Sequence, residues 1–334
     1  MLRERANVTK VTKLMDVEKK LTQELVSTWL EFEEDEFNIE SFRRKHNIEA
    51  DSVVFRVSLH RFVEAGKLKR IKRGWYRKVR EIEPIVWWES KETLPIPIIW
   101  PYGVEDMSSF GFDETVEIFP GDAIVIAGRS NWGKTCFALN FLVNNLKLFE
   151  GATMMVNEYK PQRFKNRMSK FTWVDFWNES KPKFELLPIT ENHVDYIKAN
   201  YLNIIDWLNI TGDFWIVAKV IEEIQMQLRS GIALVVLQKT GGKEYGVGGD
   251  WGTFFPSFYA TIDPPGVLTV TKVKSAPMGA IKPDGKKLAF DIVDAGSKFH
   301  RIREVKTCPK CKGKGYNYDK ECEVCHKTGY IEGN

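Results

Sequence analysis

The chain has 334 residues, 43% of them hydrophobic and 28% charged, with a formal net charge of +4. This is an ordinary globular composition, long enough for two or three domains of roughly 100–200 residues. It contains no run of about 18 apolar residues, which excludes a predicted transmembrane helix. The opening residues, MLRERANVTKVTKLMD, lack the apolar core of a signal peptide, so a reducing cytoplasmic location and no membrane association are expected. Of the five cysteines, Cys136 stands alone and four cluster near the C-terminus, a usage that points to metal ligation instead of disulfides.

Residues 16–32 place Val17, Leu21, Leu25 and Leu30 near one face of a predicted helix. The next stretch reads as a short helix, a turn at Asn47, and a second helix from about Asp51 that ends at Gly66. LKRIKRGWYRKV then alternates apolar and basic residues around Gly74, as a hairpin would. This order over residues 33–80 resembles a winged-helix domain. Arg56, Arg61, Lys67, Lys69, Arg70, Lys72, Arg73, Arg77, Lys78 and Arg80 face a single acid, Glu64, in that interval. Such a patch suits a polyanion, double-stranded DNA included, or is a solvated face. Residues 1–80 are therefore assigned to a helical, winged-helix-like domain.

Residues 81–104 are rich in Pro and Trp without a clear period and read as a linker, with Trp87, Trp88 and Trp100 as packing anchors. From Val116 the pattern becomes apolar strands alternating with helices. The strands are Ala123 to Ala127, ATMMVN, YLNIIDWLN, IALVVLQ, FYATID and VLTVTKVK, and the helices include KTCFALNFLVNNLKLFE and IVAKVIEEIQMQLRSG. That alternation predicts an α/β fold with a mostly parallel sheet covered by helices on both faces, over residues 105–305.

Between the first strand and its helix lies GRSNWGKT, which satisfies G-x-x-x-x-G-K-[ST] through Gly128, Gly133, Lys134 and Thr135. Backbone N–H groups from Gly128 through Arg129, Ser130, Asn131, Trp132, Gly133 and on to Cys136 would face the phosphates of ATP. Lys134 would reach the β- and γ-phosphates, and the Thr135 hydroxyl would bind Mg²⁺. Hydrolysis needs a second carboxylate on the Mg²⁺ side and a group that orients water. Asp206, at the end of NIID, stands where the first belongs, or caps a helix. Glu158, after MMVN, could lie beside the γ-phosphate, or cap the helix it precedes. Gln238, ending ALVVLQ, is a γ-phosphate sensor or a turn residue.

FPGDAIVIAGRSNWGKTCFALNFLVN resembles the phosphate-loop segment of the RecA-like core in DnaB-type replicative helicases, and the resemblance continues through Glu158, Asp206 and Gln238. It implies an ATP-hydrolysing, DNA-acting homo-oligomer, a ring or filament with ATP at each subunit interface. In that family a Lys-x-Arg pair at a later strand end contacts the γ-phosphate of the next subunit. The matching positions are Lys272 and Lys274, and Lys in place of Arg loses the planar fork. The N-terminal domain departs from the helical hairpin domain of bacterial replicative helicases, so replication is one of several roles; recombinases, loaders and packaging or transposition ATPases share the core. The Gly-rich segment 239–257 carries Lys239, Lys243, Tyr245, Trp251 and Phe254, which suit single-stranded DNA or belong to an ordinary surface loop. An ATP-switched DNA-binding adaptor or loader without translocation, and a DNA-independent ATPase, are the alternatives to a motor.

The tail, residues 306–334, contains Cys308-x-x-Cys311 and Cys322-x-x-Cys325, a four-thiolate Zn²⁺ pattern. The first half resembles the C-x-x-C-x-G-x-G units of the DnaJ cysteine-rich domain; the second has Lys327 where a glycine would stand. Cys322-Glu-Val-Cys325-His326 also matches c-type haem attachment, but the upstream pair and the missing export signal favour zinc, with His326 a bystander.

Overall fold

The computed structural model describes residues 21–80, 82–89, 91–158, 160–210, 215–317 and 320–333; Val17 lies outside them. The chain divides into two compact units, Met1–Lys91 and Glu92–Asn334.

The first unit contains α1 (Gln23–Glu31), β1 (Glu36–Asn38), α2 (Ile39–Lys45), α3 (Val53–Glu64), β2 (Leu68–Lys72) and β3 (Trp75–Lys78). Each helix begins at a side-chain cap. Thr22 accepts from Leu25 N–H, Asn38 from Glu40 and Ser41, and Ser52 from Phe55, satisfying donors that a helix start leaves open. The three strands pair antiparallel in the order β1-β3-β2. Val26, Leu30, Phe37, Phe42, Phe55, Leu59, Phe62 and Leu68 close a small core between helices and hairpin. The basic residues of α3 and the hairpin stay at its surface; Arg77 pairs with Glu36, and Lys78 and Arg80 with Asp35.

The second unit is built on one ten-stranded sheet. Its strands are β4 (Ala123–Gly128), β5 (Ala152–Val156), β8 (Glu185–Leu187), β9 (Leu202–Asp206), β10 (Ile232–Gln238), β11 (Phe258–Asp263), β12 (Val267–Val273), β13 (Lys287–Val293), β14 (Lys298–Thr307) and β17 (Tyr330–Glu332). The order is β17-β14-β13-β12-β11-β4-β10-β9-β5-β8. From β11 to β8 every pairing is parallel; from β11 outward to β17 every pairing is antiparallel. Two short hairpins, β6 (Trp177–Asn178) with β7 (Lys181–Pro182) and β15 (Tyr316–Asn317) with β16 (Lys320–Glu321), lie outside it.

Alternation along β4 distributes its side chains to two cores. Ile124 and Ile126 join Phe137 and Phe141 of α4 (Lys134–Asn145) and Phe164 and Met168 of α5 (Pro161–Met168). Ala123, Val125 and Ala127 join Val217, Ile221 and Ile224 of α6 (Ile216–Gln227). Both faces are thus buried, which is why the strands read as continuous apolar runs. Residues 92–104 belong to this unit: Ile98 and Trp100 are in its core, whereas Trp87 and Trp88, on the first unit, are exposed and pack edge to face on each other.

Trp100 touches Phe112, Phe137, Phe141 and Phe258 with ring centroids 5.0–6.5 Å apart. Trp100→Ala should destabilise the unit by about 3–5 kcal/mol, the usual cost of emptying an aromatic site, measurable by denaturant unfolding.

Candidate functional site

Parallel strands bring their carboxyl ends to one edge, and open α/β sheets bind ligands there. Here that edge carries Gly128 at the end of β4, Asp206 at the end of β9, Gln238 at the end of β10, and Glu158 two residues beyond β5. The register Val156↔Asp206 sets the β5 and β9 ends level, and Gln238↔Gly128 those of β10 and β4, which run two residues further. Asn157 donates from Nδ2 to the Trp207 carbonyl at 2.8 Å and stitches the β5 and β9 ends together.

Between β4 and α4 the loop turns through two left-handed residues, Asn131 at φ 66° and Gly133 at φ 105°. The φ of Gly133 demands glycine; a Cβ there would also lie 2.6 Å from Ile292 Cδ1, the movable end of a side chain. Trp132 packs its ring against the core, while Arg129, Ser130 and Asn131 are exposed. Ser130 Oγ donates to Gln238 Oε1 at a long 3.4 Å. The Lys134 ammonium lies over the loop and donates to the Arg129 carbonyl at 2.7 Å.

A cleft of about 530 Å³ opens here, lined by Asn131, Lys134, Thr135, Glu158, Asp206 and Trp207 among others. Lys134 and Asp206 are both 6% exposed. Burial lowers the Lys134 pKa to about 8, against the opposing pull of Asp206. Burial pushes Asp206 upward, offset by a hydrogen bond from the Thr135 hydroxyl and by the charges of Lys134 and Arg167, while Glu158 adds to the rise. Chemically, the loop and Lys134 offer donors to an anion. Thr135 and Asp206 offer hard oxygens to a divalent cation, and Glu158 offers a carboxylate. The Cys136 thiol is buried and pushed up to about 12 by that burial, so this residue has only its backbone to offer.

Lys272 and Lys274 are not brought to this cleft. Lys272 pairs with Tyr259, whose neighbour on β4 is Val125, three positions before Gly128; at about 3.3 Å per residue that is roughly 10 Å toward the other end of the sheet. Lys272 Nζ instead donates to the Thr253 and Phe254 carbonyls at 2.7 and 2.9 Å. Within 239–257, Lys239 is withdrawn into an ion pair with Asp263 at 2.5 Å, and Tyr245 packs against Tyr259. Trp251 and Phe254 stand half exposed, ring centroids 5.1 Å apart, and Lys243 is exposed. Sequence reading missed Arg163, Arg167, Ile292 and Gly296, which also line the cleft. The two arginines had a legible signal, their i, i+4 spacing on the helix after Glu158.

The second cluster is the tail. The Sγ atoms of Cys308, Cys311, Cys322 and Cys325 lie within 4.8 Å of one another and all four residues are buried. Cys308 Sγ is 3.8 Å from Cys322 Sγ, and Cys311 Sγ is 3.5 Å from Cys325 Sγ. Four thiolates at about 2.3 Å around a tetrahedral Zn²⁺ would be about 3.8 Å apart, so the donor set fits a metal ion of that kind. The two knuckles interlock: Cys308 N–H donates to Gly329 O, and Cys322 N–H to Gly315 O. Gly315 and Gly329 also donate N–H to Cys311 and Cys325 Sγ, each at 3.3 Å. A Cβ on Gly329 would lie 2.4 Å from the Gly313 carbonyl, so the knuckle closes only over glycine. Backbone N–H groups of Cys325 and Val324 lower the Cys322 pKa to about 7, a thiol readily given up to a metal. His326 is outside the cluster, beside Glu321. Among the described residues no helix is long and apolar enough to cross a membrane.

No protein-family model matches this chain, and no curated protein is significantly similar to it.

The purified chain should carry about one metal ion, the stoichiometry of a single four-thiolate site. Cys322→Ala should lose it, as read by elemental analysis, and should lower the unfolding temperature.

Proposed function

We propose that the chain is an ATP-hydrolysing, oligomeric motor or remodeller acting on DNA. Its core would be RecA-like, with the winged-helix-like unit and a zinc-bearing tail as its contacts. The observation that carries the reading is the convergence at one sheet edge of loop 128–133, Lys134, the Thr135–Asp206 pair and Glu158 around a single cleft. Loop N–H groups and Lys134 hold the β- and γ-phosphates. Thr135 and Asp206 would hold Mg²⁺, which would supply positive charge against the phosphates. Glu158 orients a water and accepts its proton as the water oxygen bonds to the γ-phosphorus. The bond from that phosphorus to the β–γ bridging oxygen breaks, and its electron pair leaves with ADP. Gln238, at the next strand end and bonded to Ser130, senses whether the γ-phosphate is present.

Lys272 and Lys274, far from their own cleft, serve an adjoining copy, which is the reason for a ring or filament. Lys272 holds the carbonyls of Thr253 and Phe254, so its movement would be felt by Trp251 and Phe254, the side chains available to stack on single-stranded bases. Exposed Arg56, Lys69, Arg70 and Arg73 suit double-stranded phosphates. The adaptor alternative draws on Lys274, a cation without the fork that speeds phosphoryl transfer. Strand displacement on a forked substrate supports the motor; ATP-dependent DNA binding without it supports the adaptor.

Glu158→Gln should lower kcat by about 10²–10⁴-fold, the usual worth of a positioned base, with ATP binding retained. Lys134→Ala should lose both. Undiminished turnover in Glu158→Gln would remove that residue from the mechanism.

A pH dependence follows from Lys134. Its free pKa is depressed to about 8, and bound phosphate charge raises it. Above pH 8 the free site has therefore lost a proton that the bound site keeps. Calorimetry at pH 8–9 in buffers of differing ionisation heat should show uptake of up to about one proton, and ATP affinity should fall as pH rises through this range. Zero uptake would separate Lys134 from the phosphates.

A further inference from the structure

Phosphoryl transfer spreads negative charge over the three equatorial oxygens of the moving group, and a guanidinium answers that charge with two parallel donors. Neither Lys272 nor Lys274 can do so. Two guanidinium groups nevertheless lie on the cleft wall, unused by the mechanism above. Arg163 and Arg167 stand one turn apart on α5, on the face beside that of the buried Phe164 and Met168, and both line the cleft.

Their surroundings differ. Arg167 is half buried; its Nη2 donates to the Gly296 carbonyl at 3.3 Å, and its charge is felt by Cys136 and Asp206. It ties α5 to the turn at residues 294–296. Arg163 is exposed, and among the described residues it makes no hydrogen bond or ion pair. It follows Glu158 by five positions, with Pro161 opening the helix between them. One short segment therefore delivers both a carboxylate and an exposed guanidinium to the same cleft. A solvated helix face would not need Arg163 to line that cleft beside Lys134 and Asp206.

We propose that Arg163 is a catalytic arginine acting in cis: it binds the γ-phosphate oxygens of the ATP held by its own Lys134 as charge develops there. Arg167 is a positioning residue that keeps α5, and so Arg163, against the cleft. The inference rests on the ATPase reading and supplies what the Lys272-x-Lys274 strand end lacks.

The test uses the full-length chain, with ATP binding and turnover measured separately. Arg163→Ala should lower kcat by about 10²–10³-fold, the range for removing one transition-state donor, while ATP affinity changes by less than about threefold, since the interaction is made in the transition state. Arg163→Lys should remain slow, and added guanidinium ion should restore part of the Arg163→Ala rate but none of the Glu158→Gln rate. Circular dichroism confirms that each variant folds. Mixing Arg163→Ala with Lys134→Ala protomers separates cis from trans. A trans arginine would rebuild complete sites in mixed oligomers and restore turnover; a cis arginine leaves every site short of one group. Restored turnover, or an Arg163→Ala kcat close to that of the unmodified chain, overturns the proposal while leaving the ATPase intact. An unmodified chain that takes up no ATP overturns the ATPase reading itself, and the arginine with it.

Discussion

Lys134 and Asp206 share one wall of the cleft, each almost wholly withdrawn from water, and burial works against the charge of both. Each moderates the other's shift, and the Thr135 hydroxyl adds a hydrogen bond to the carboxylate. A buried charge left without such partners would neutralise. Burial therefore disfavours the charged form of both groups, a demand that an anion at the lysine and a cation at the carboxylate would meet. The rest of the edge is organised around that demand. The glycine turn at 133 brings the loop against Ile292, Asn157 holds the β5 and β9 ends together, and Arg167 fastens α5 to the 294–296 turn.

The parallel half of the sheet was readable because its strands are buried on both faces. Five apolar residues from Ala123 to Ala127 leave little choice, and the loop motif after them has the strand and helix it requires. Asp206 and Glu158 were legible for the same reason: each terminates an apolar run, and parallel strands end together. The antiparallel half was not legible beyond β12. In β14 the buried residues Phe299, Ile302 and Val305 recur every third position, which breaks the period of two. Arg301, at φ 51°, explains the first interval, since the register between β13 and β14 shifts near that point; Val305 instead packs with Val267 and Ala289 in a separate cluster. The burial of Lys239 is not legible from its setting in a Gly-rich segment. Only the three-dimensional pairing with Asp263, from a strand two places away, reveals that it is buried.

The position of Lys272 follows from chain direction. β12 runs antiparallel to β11, so its late residues lie at the amino ends of the parallel strands, opposite the cleft. A cation there stands away from the cleft of its own chain. Arg163, by contrast, leaves β5 on the short path that carries Glu158, and remains on the cleft side. Direction of travel through the sheet thus sorts the cationic groups into two sets, one on the cleft side and one away from it.

The cysteine cluster is often the kind of appendage that hangs from a tether, but here it is continuous with the sheet. β14 starts beside Ser297, whose carbonyl accepts from Asn140 of α4, the helix that also presents Lys134 and Thr135. Ten residues later the same strand ends at Thr307, and Cys308 follows. After the second knuckle the chain returns as β17 and pairs Tyr330 with Thr307 and Glu332 with Val305. The thiolate cluster therefore closes a loop whose two stems are hydrogen-bonded neighbours at the sheet edge. A metal bound there would fix the spacing of those stems, since two knuckles that interlock through Gly315 and Gly329 have little apolar core of their own. Without it, β17 would hold to β14 by three residue pairs, the flanking Gly333–Glu304 backbone bond and the packing of Tyr330. The edge strand is then the first part of the sheet that metal loss should loosen, and the cleft, at the other end of β14, the last.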